Sequence, residues 1–419
     1  MNTMAILLAT MTMLPVIPQP RAAEKLGPEG YRITISNGAC SVVAESPTGY
    51  IWANQTLRQL VAANGGMAGL NKLNIEITDS PKYAVRGLTL DVARRYVPMS
   101  YLMSLVEEMS RYKLNTLHIH LNDNEICKDP NVDWSTKYAA FRLESTVCPE
   151  LTAKDGSYTK DEFREFMKYA KSRGVTVVPE IDVPAHSLAF TRVRPEFAST
   201  KYGADHFDLS KQDEILPWLE QIFAEYLTGE DPVFAGPYCH IGTDEYNKAE
   251  AEAFRKFTDS MLKMVRKYGY TACAWGSLSH AKGETPVIAS RDIIMDIWSN
   301  PFYQPEEAMA AGYSIVSIPD GWVYIVPKAG YYYDFLNLRF LYNNWEPNVI
   351  GDKVFPENCE QILGGKFALW NDMLDAVSVE DIKVRISHAI PVMAQKLWSG
   401  KVQGQTFEEF ELLSEKLRQ

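Results

Sequence analysis

From Val85 to the C-terminus, eight short apolar, β-prone runs alternate with amphipathic helical stretches, and polar and aromatic residues collect at the ends of those runs. Such alternation predicts a parallel sheet covered by helices. Eight repeats, with no Gly-x-Gly-x-x-Gly after any run, favour a closed (β/α)8 barrel over an open doubly wound sheet. Before Pro81 the rhythm differs, and a small α/β unit is expected ahead of the barrel. The predicted division is a leader over 1–23, a small α/β domain over 24–81 and the barrel over 82–419.

Met1 to Ile17 is mostly apolar and uncharged, and the small residues of Arg21-Ala22-Ala23 follow it, which reads as an export signal with a periplasmic or extracellular destination. Nothing later approaches the roughly 20 uninterrupted apolar residues of a membrane span. In the small unit, Tyr31 to Ile35 and Ser41 to Glu45 alternate as strands. Asn54 to Ala63 is helix-compatible, with Asn64-Gly65-Gly66 as its stop signal, and Leu73 to Thr78 forms a third strand.

The eight barrel runs are Val85 to Val92, Asn115 to Leu121, Gly174 to Ile181, Pro237 to Gly242, Tyr270 to Gly276, Asp292 to Trp298, Tyr313 to Ile318 and Gly365 to Trp370. Pro98 opens a helix whose Leu102, Leu105, Val106 and Met109 make one buried stripe. Thr159-Lys-Asp-Glu162 is a capping box ahead of a helix burying Phe163, Phe166, Met167 and Ala170. Val379 to Trp398 is a long amphipathic helix.

A formal net charge of -11 argues against a nucleic-acid partner or an anionic membrane surface, since either rewards a basic patch. Aromatic content of 11% suits sugar stacking and barrel filling equally. The six cysteines lack C-x-x-C spacing, so neither a zinc knuckle nor a redox motif is indicated. Cys127 and Cys148 flank a loop and could bridge; the others read as buried thiols.

In a barrel of this kind the active site gathers at the carboxyl ends of the strands. The fourth run, Pro237-Tyr-Cys-His-Ile-Gly-Thr-Asp244-Glu245, ends there in two adjacent carboxylates. The other runs contribute Asp91 and Arg94, Asp123, Glu180, Asp182 and His186, then Trp275, Trp298, Trp370 and Asp372. Such a cup suits a neutral polyhydroxyl ligand, with rings stacking on pyranose faces and charged groups bonding hydroxyls. Each residue also has a plainer role: tryptophans as barrel packing, Arg94 in an ion pair with Asp91 or Asp123, and His186 and His240 as hydrogen-bonded core histidines. His118-Ile-His120 places two imidazoles on one strand face, where they could hold a metal, but the ligand set is incomplete for any usual geometry. No metal or cofactor is expected.

Together, Arg86 to Tyr96, Leu117-His-Ile-His-Leu-Asn-Asp123, Val178-Pro-Glu-Ile-Asp182-Val-Pro-Ala-His186, His240-Ile-Gly-Thr-Asp244-Glu245 and Leu369-Trp370-Asn-Asp372 resemble glycoside hydrolase family 20, the β-N-acetylhexosaminidases and lacto-N-biosidases. The resemblance implies a retaining, substrate-assisted exo-glycosidase that releases terminal β-linked N-acetylhexosamine through an oxazolinium intermediate, with no enzyme nucleophile. It implies Glu245 as general acid, kept protonated by burial and by the charge of Asp244. Asp244 would orient the acetamido group, and Tyr324 would bond its oxygen. Trp275, Trp298 and Trp370 would wall the pocket; Arg94, Asp123 and Asp372 would bind hydroxyls; Asp182 and His186 would steady the acids.

Three positions depart from the family pattern. Thr243 stands where glycine is usual, Asp372 is shorter than the usual glutamate, and the Tyr-x-Asp spacing falls at Tyr332-Tyr333-Asp334 rather than at Tyr324. Asp372 and Tyr342-Asn-Asn-Trp345-Glu-Pro look similar to the lacto-N-biosidase side, which releases a disaccharide. A non-catalytic glycan-binding barrel would keep the tryptophans and lose the acid; the intact Asp244-Glu245 pair speaks for an enzyme.

Overall fold

The computed structural model describes residues 25–127, 129, 132–400 and 404–418; the expected export signal lies outside them. The chain forms two compact units, one from the residues up to Pro81 together with those from Gly404, the other from Lys82 to Gln403.

In the first unit, β1 (Tyr31–Ser36), β2 (Ala39–Ala44) and β3 (Ile75–Asp79) form an antiparallel sheet in the order β2-β1-β3. Tyr31, Ile33 and Ile35 alternate onto its buried face. Helix α1 (Pro47–Ala63) starts earlier than the sequence suggested, because Ser46 Oγ accepts from the Gly49 amide at 3.1 Å and Pro47 supplies a preformed first turn. It buries Trp52 and Ala53 and stops at Asn64, where Gly65 takes a φ of 70°.

The eight expected barrel strands form: β4 (Val85–Asp91), β5 (Thr116–His120), β6 (Thr176–Val183), β7 (Tyr238–Gly242), β8 (Thr271–Trp275), β9 (Ile294–Ile297), β10 (Ser314–Ser317) and β11 (Ile362–Leu369). Neighbours pair in parallel, and Ile315↔Ile362 and Ser317↔Gly365 close the ring. A two-residue strand, Tyr324–Ile325, runs beside the end of β11 with Tyr324 opposite Ala368.

On the outside, α2 (Met99–Arg111) buries Leu102, Leu105, Val106 and Met109 completely, each contributing about 2 kcal/mol by removal from water. Helix α3 (Lys160–Ser172) has the predicted capping box between Thr159 and Glu162, and α4 (Val379–Trp398) has a second one from Ser378 and Asp381. Inside the barrel, apolar Val178, Cys273, Ile294 and Val316 form one cluster. Polar side chains of the same strands occupy the levels beyond it.

Two expectations change. The barrel does not run to residue 419: α5 (Phe407–Arg418) packs on α1 within the first unit, burying Phe407, Phe410 and Ser414 at helical spacing. Cys127 and Cys148 are not bridged; Cys148 is buried beside the turn Pro149–Leu151, and Cys127 faces the Asp129 carbonyl at 3.9 Å.

Candidate active site

Strand β7 ends in backbone that only its neighbours could enforce. Gly242, Thr243 and Glu245 all have positive φ, at 68°, 68° and 43°. A β-branched residue in that region is strained, which explains why glycine would be the easy choice at position 243. Thr243 is held by its amide, which donates to Val183 O at 3.1 Å and to Asp182 Oδ1 at 3.2 Å. Gly242 must be glycine, because a Cβ there would stand 1.7 Å from Asp182 Oδ1. The turn aims Asp244 inward, 15% exposed, and leaves Glu245 at 51%.

From Glu245 a column of alternating charge runs back into the barrel. His186, itself at a φ of 54°, sets Nε2 3.3 Å from Glu245 Oε2 and 3.7 Å from Asp244 Oδ1. Its Nδ1 bonds Asp123 Oδ1 at 2.9 Å. Asp123 Oδ2 takes His120 Nε2 at 2.7 Å and Arg94 Nη1 at 2.8 Å. Both oxygens of Asp123 are thus taken and it is 1% exposed, so it positions its neighbours rather than binding hydroxyls as expected. Arg94 pairs with Asp91 at 3.0 Å and Asp372 at 3.4 Å and donates Nε to Asn124 O at 2.9 Å, while Nη2 has no hydrogen-bond partner among the described residues.

The adjacent acids titrate in opposite directions, and not as the sequence reading had it. Burial, with the charge of Glu245 added and that of His186 opposing, pushes Asp244 up to about 6. Burial also acts to raise Glu245, but the hydrogen bond and charge of His186, with Arg94, outweigh it and hold Glu245 below the usual range. Burial and the charge of Asp244 raise Asp182 well above it, and Asp182 Oδ2 and Asp244 Oδ1 are both buried without a partner.

Three rings meet beside these acids. Trp370 lies 5.8 Å from Tyr324 and 5.8 Å from Trp275, with His120 edge-on at 5.0 Å. Trp275 is only 2% exposed; its Nε1 donates to Glu180 Oε1 at 2.5 Å and its ring stacks on His118, so it supports the pocket from below instead of walling it. Trp298 packs on Phe302 at 4.4 Å, and no ring contact joins it to the other two tryptophans among the described residues. Of the Tyr-x-Asp segment, Asp334 is spent on Arg385 at 2.7 Å and Lys328, while Tyr332 donates to Asp320 at 2.8 Å and packs on Tyr324. Tyr324 is buried and within electrostatic reach of Asp244. On the outer side, Tyr331 donates to Asp372 Oδ2 at 2.8 Å, and burial raises the Asp372 carboxyl against the pull of Arg94.

Sequence reasoning missed the hub beneath. Glu180 is fully buried and collects His120 Nδ1 at 2.6 Å, His118 Nε2 at 3.0 Å, His240 Nδ1 at 3.1 Å and the Trp275 indole. Lys366 completes the layer, donating to Asp296 and, at 2.9 Å, to His118 Nδ1. The signal was present: Glu180 shares a face with Asp182, and a lysine inside the last apolar run must find a buried partner. Three sets of potential metal ligands occur among the described residues: His118, His240 and Asp296; His120, Glu180 and Asp182; Asp182, His186 and Asp244. In the first, the Lys366 ammonium already stands against His118 and Asp296.

The model of the glycosyl hydrolase family 20 catalytic domain matches residues 83–401, and that of the family's domain 2 matches residues 9–80. The chain is similar to the beta-N-acetylhexosaminidase of Cellulomonas fimi, 27% identical over 389 residues, 86% of this chain and 73% of that protein. It is 30% identical over 228 residues to the beta-hexosaminidase of Akkermansia muciniphila, 52% of this chain and 45% of the other. In fold it is like the beta-N-acetylhexosaminidase from Bacteroides fragilis, with a TM-score of 0.75 at 24% identity over 93% of this chain and 81% of that one. Because the catalytic-domain match spans most of its length, the chain belongs to glycosyl hydrolase family 20 and is a glycoside hydrolase.

Proposed function

We propose that this glycoside hydrolase removes terminal β-linked N-acetylhexosamine from glycans with retention, the substrate's own acetamido oxygen attacking its anomeric carbon. The observation that carries the reading is the asymmetry of the acid pair. Asp244 is mostly buried and backed by Asp182 and His186, where its carboxylate could accept an acetamido N–H and then face the charge of an oxazolinium. Glu245 is half-exposed, on the rim, with a proton donor 3.3 Å away on His186. A sugar filling the cup would remove water from Glu245, and desolvation raises a carboxyl, so the acid becomes protonated in the complex where it is needed. Tyr324, beside Trp370, would bond the acetamido oxygen. Trp370 would support the ring, Arg94 Nη2 and Asp372 would meet its hydroxyls, and Trp298 would border the pocket from the end of β9.

The test is release of p-nitrophenol from the β-GlcNAc glycoside and its inhibition by a GlcNAc-thiazoline, with Glu245→Gln expected to lose about 10²- to 10⁴-fold. Full activity in that variant would remove Glu245 from the role. Disaccharide release of the lacto-N-biosidase kind is the second reading, favoured by the short Asp372. A side-by-side assay on lacto-N-biose and GlcNAc glycosides separates the two. Export, proposed from Met1 to Ala23, is tested by fractionating the native host.

A further inference from the structure

A fully buried lysine needs a reason, and the reaction described above does not use Lys366. It is 3% exposed, and its ammonium is shared between Asp296, 1% exposed, and His118 Nδ1. These groups are not sealed off: a cavity of about 80 Å³ reaches His240, Asp296 and Lys366 from the amino ends of the strands, past Thr116, Thr176 and Tyr238. It approaches from the mouth opposite to the one that carries Asp244 and Glu245.

The hydrogen bonds dictate orientation upward. Lys366 has only donors, so His118 Nδ1 must accept, which puts the proton of the neutral ring on Nε2, 3.0 Å from Glu180 Oε2. Burial and the Lys366 charge lower the His118 pKa to about 3, so this imidazole stays neutral. His240 Nδ1 accepts from the Gly242 amide at 3.1 Å and lies 3.1 Å from Glu180 Oε1, while its Nε2 stands 3.4 Å from Asp296 Oδ2. Glu180, packed directly above both rings, presents one oxygen to the Trp275 indole and the other to His120, which continues to Asp123 and His186.

We propose that Lys366 and Asp296 are positioning residues for the hydrolase reaction: their ion pair fixes His118 and His240, hence Glu180, and through Glu180 both Trp275 and the His120–Asp123–His186 chain that meets Glu245. The proposal rests on the functional reading above. The charged or titratable groups facing the pair are His118 of β5, His240 of β7, Cys273 of β8 and Tyr324, with Glu180 of β6 beyond the two histidines. Glu245 is faced by His186, Asp244, Arg94, Asp123, Tyr331 and Tyr332.

The experiment compares Lys366→Met, Asp296→Asn and the double variant in the full chain, with the p-nitrophenyl β-GlcNAc glycoside as probe. Because a single change strands a buried charge and could prevent folding, the double variant is the safeguard. All three are expected to lose about 10- to 100-fold in kcat with little change in KM, as when a group distant from the chemistry shifts the reacting geometry. The alkaline limb of the pH profile moves up in Lys366→Met, which removes a positive charge, and down in Asp296→Asn. Methylammonium, small enough for the cavity, partly restores Lys366→Ala, whereas tetramethylammonium, which cannot donate, does not. Folded variants with wild-type kcat and pH limbs would overturn the proposal. The Trp275 indole Hε1 resonance gives a readout independent of turnover: it shifts in Lys366→Met if the column is coupled and stays put if it is not. A wild-type chain inactive on the glycoside would therefore count against the functional reading alone.

Discussion

The barrel holds two rings of carboxylates and histidines, one at the strand ends and one beneath, and they differ in how completely their atoms are partnered. Below, Glu180 and Asp296 are enclosed by cations and donors and titrate below their ordinary range even though burial alone would raise them, as does Asp123, equally enclosed, at the strand ends. Above, Asp182 and Asp244 keep buried oxygens with no partner, and both titrate high. Residue types and burial are nearly the same in the two rings. Saturation separates them: a carboxylate with every lone pair taken can only hold other groups in place, while one left short is available to a ligand.

If that distinction is real, damage to the two rings should look different. Replacing Glu180 by leucine leaves His120 and the Trp275 indole without their acceptor and His118 and His240 without the adjacent charge, and loss of one member of a buried charged network typically costs about 3–5 kcal/mol. Denaturant unfolding should register this as a large fall in stability. A Glu180→Leu protein as stable as the parent would show that the lower ring is not structural.

The upper ring should show the reverse. Asp244→Asn removes the charge that would face the oxazolinium and should lower kcat about 10²- to 10³-fold. It should also stabilise the fold at neutral pH. A carboxyl raised on folding from 3.8 to about 6 favours the fold fully below 3.8, and that contribution is lost as pH climbs to about 6. Asparagine mimics the protonated form, so the variant should gain on the order of 1–3 kcal/mol above pH 6 and nothing near pH 3.5. Equal stability of the two proteins at pH 7.5 would mean that Asp244 is not held against its charge.

Tyr324→Phe keeps the ring against Trp370 and removes only the phenol donor. Roughly a 10- to 100-fold loss in kcat is expected, smaller than for the acids because one neutral hydrogen bond is at stake. The matched change Tyr332→Phe breaks a bond to Asp320 instead and should leave kcat within about threefold, since a net hydrogen bond is worth only about 1 kcal/mol. Reversed results would move the role to Tyr332.

Most of the upper ring was legible in the sequence and most of the lower ring was not, for a physical reason. Asp244, Glu245, His186, Trp370 and Asp372 follow the last apolar residue of a run, so strand boundaries alone locate them. Glu180, Asp296 and Lys366 sit within runs, where alternation says that they point inward but not which group on another strand they meet. That depends on register: His240 lies opposite Glu180 in one pairing and opposite Cys273 in the next, and Lys366 opposite Gly87. The same limit applies to Trp275, which occupies a strand end yet is drawn under the pocket by its bond to Glu180. The ionisation of Glu245 was misjudged similarly, because its partner His186 comes from a different strand end.

The smallest effect concerns the outer wall. A short acid at position 372 suggests room beyond the sugar, enough for a second residue of a disaccharide. The phenol of Tyr331 is bonded to Asp372 Oδ2, while Arg94 takes the other oxygen at 3.4 Å. Tyr331 is itself 50% exposed, so moving it costs little packing. Tyr331→Ala should therefore leave turnover of the GlcNAc glycoside within a few-fold and raise relative turnover of the lacto-N-biose glycoside by about 3- to 10-fold, the scale of a single steric contact in a specificity pocket. An unchanged ratio would mean that the tyrosine is not the barrier, and the length of Asp372 would then have to account for substrate choice alone.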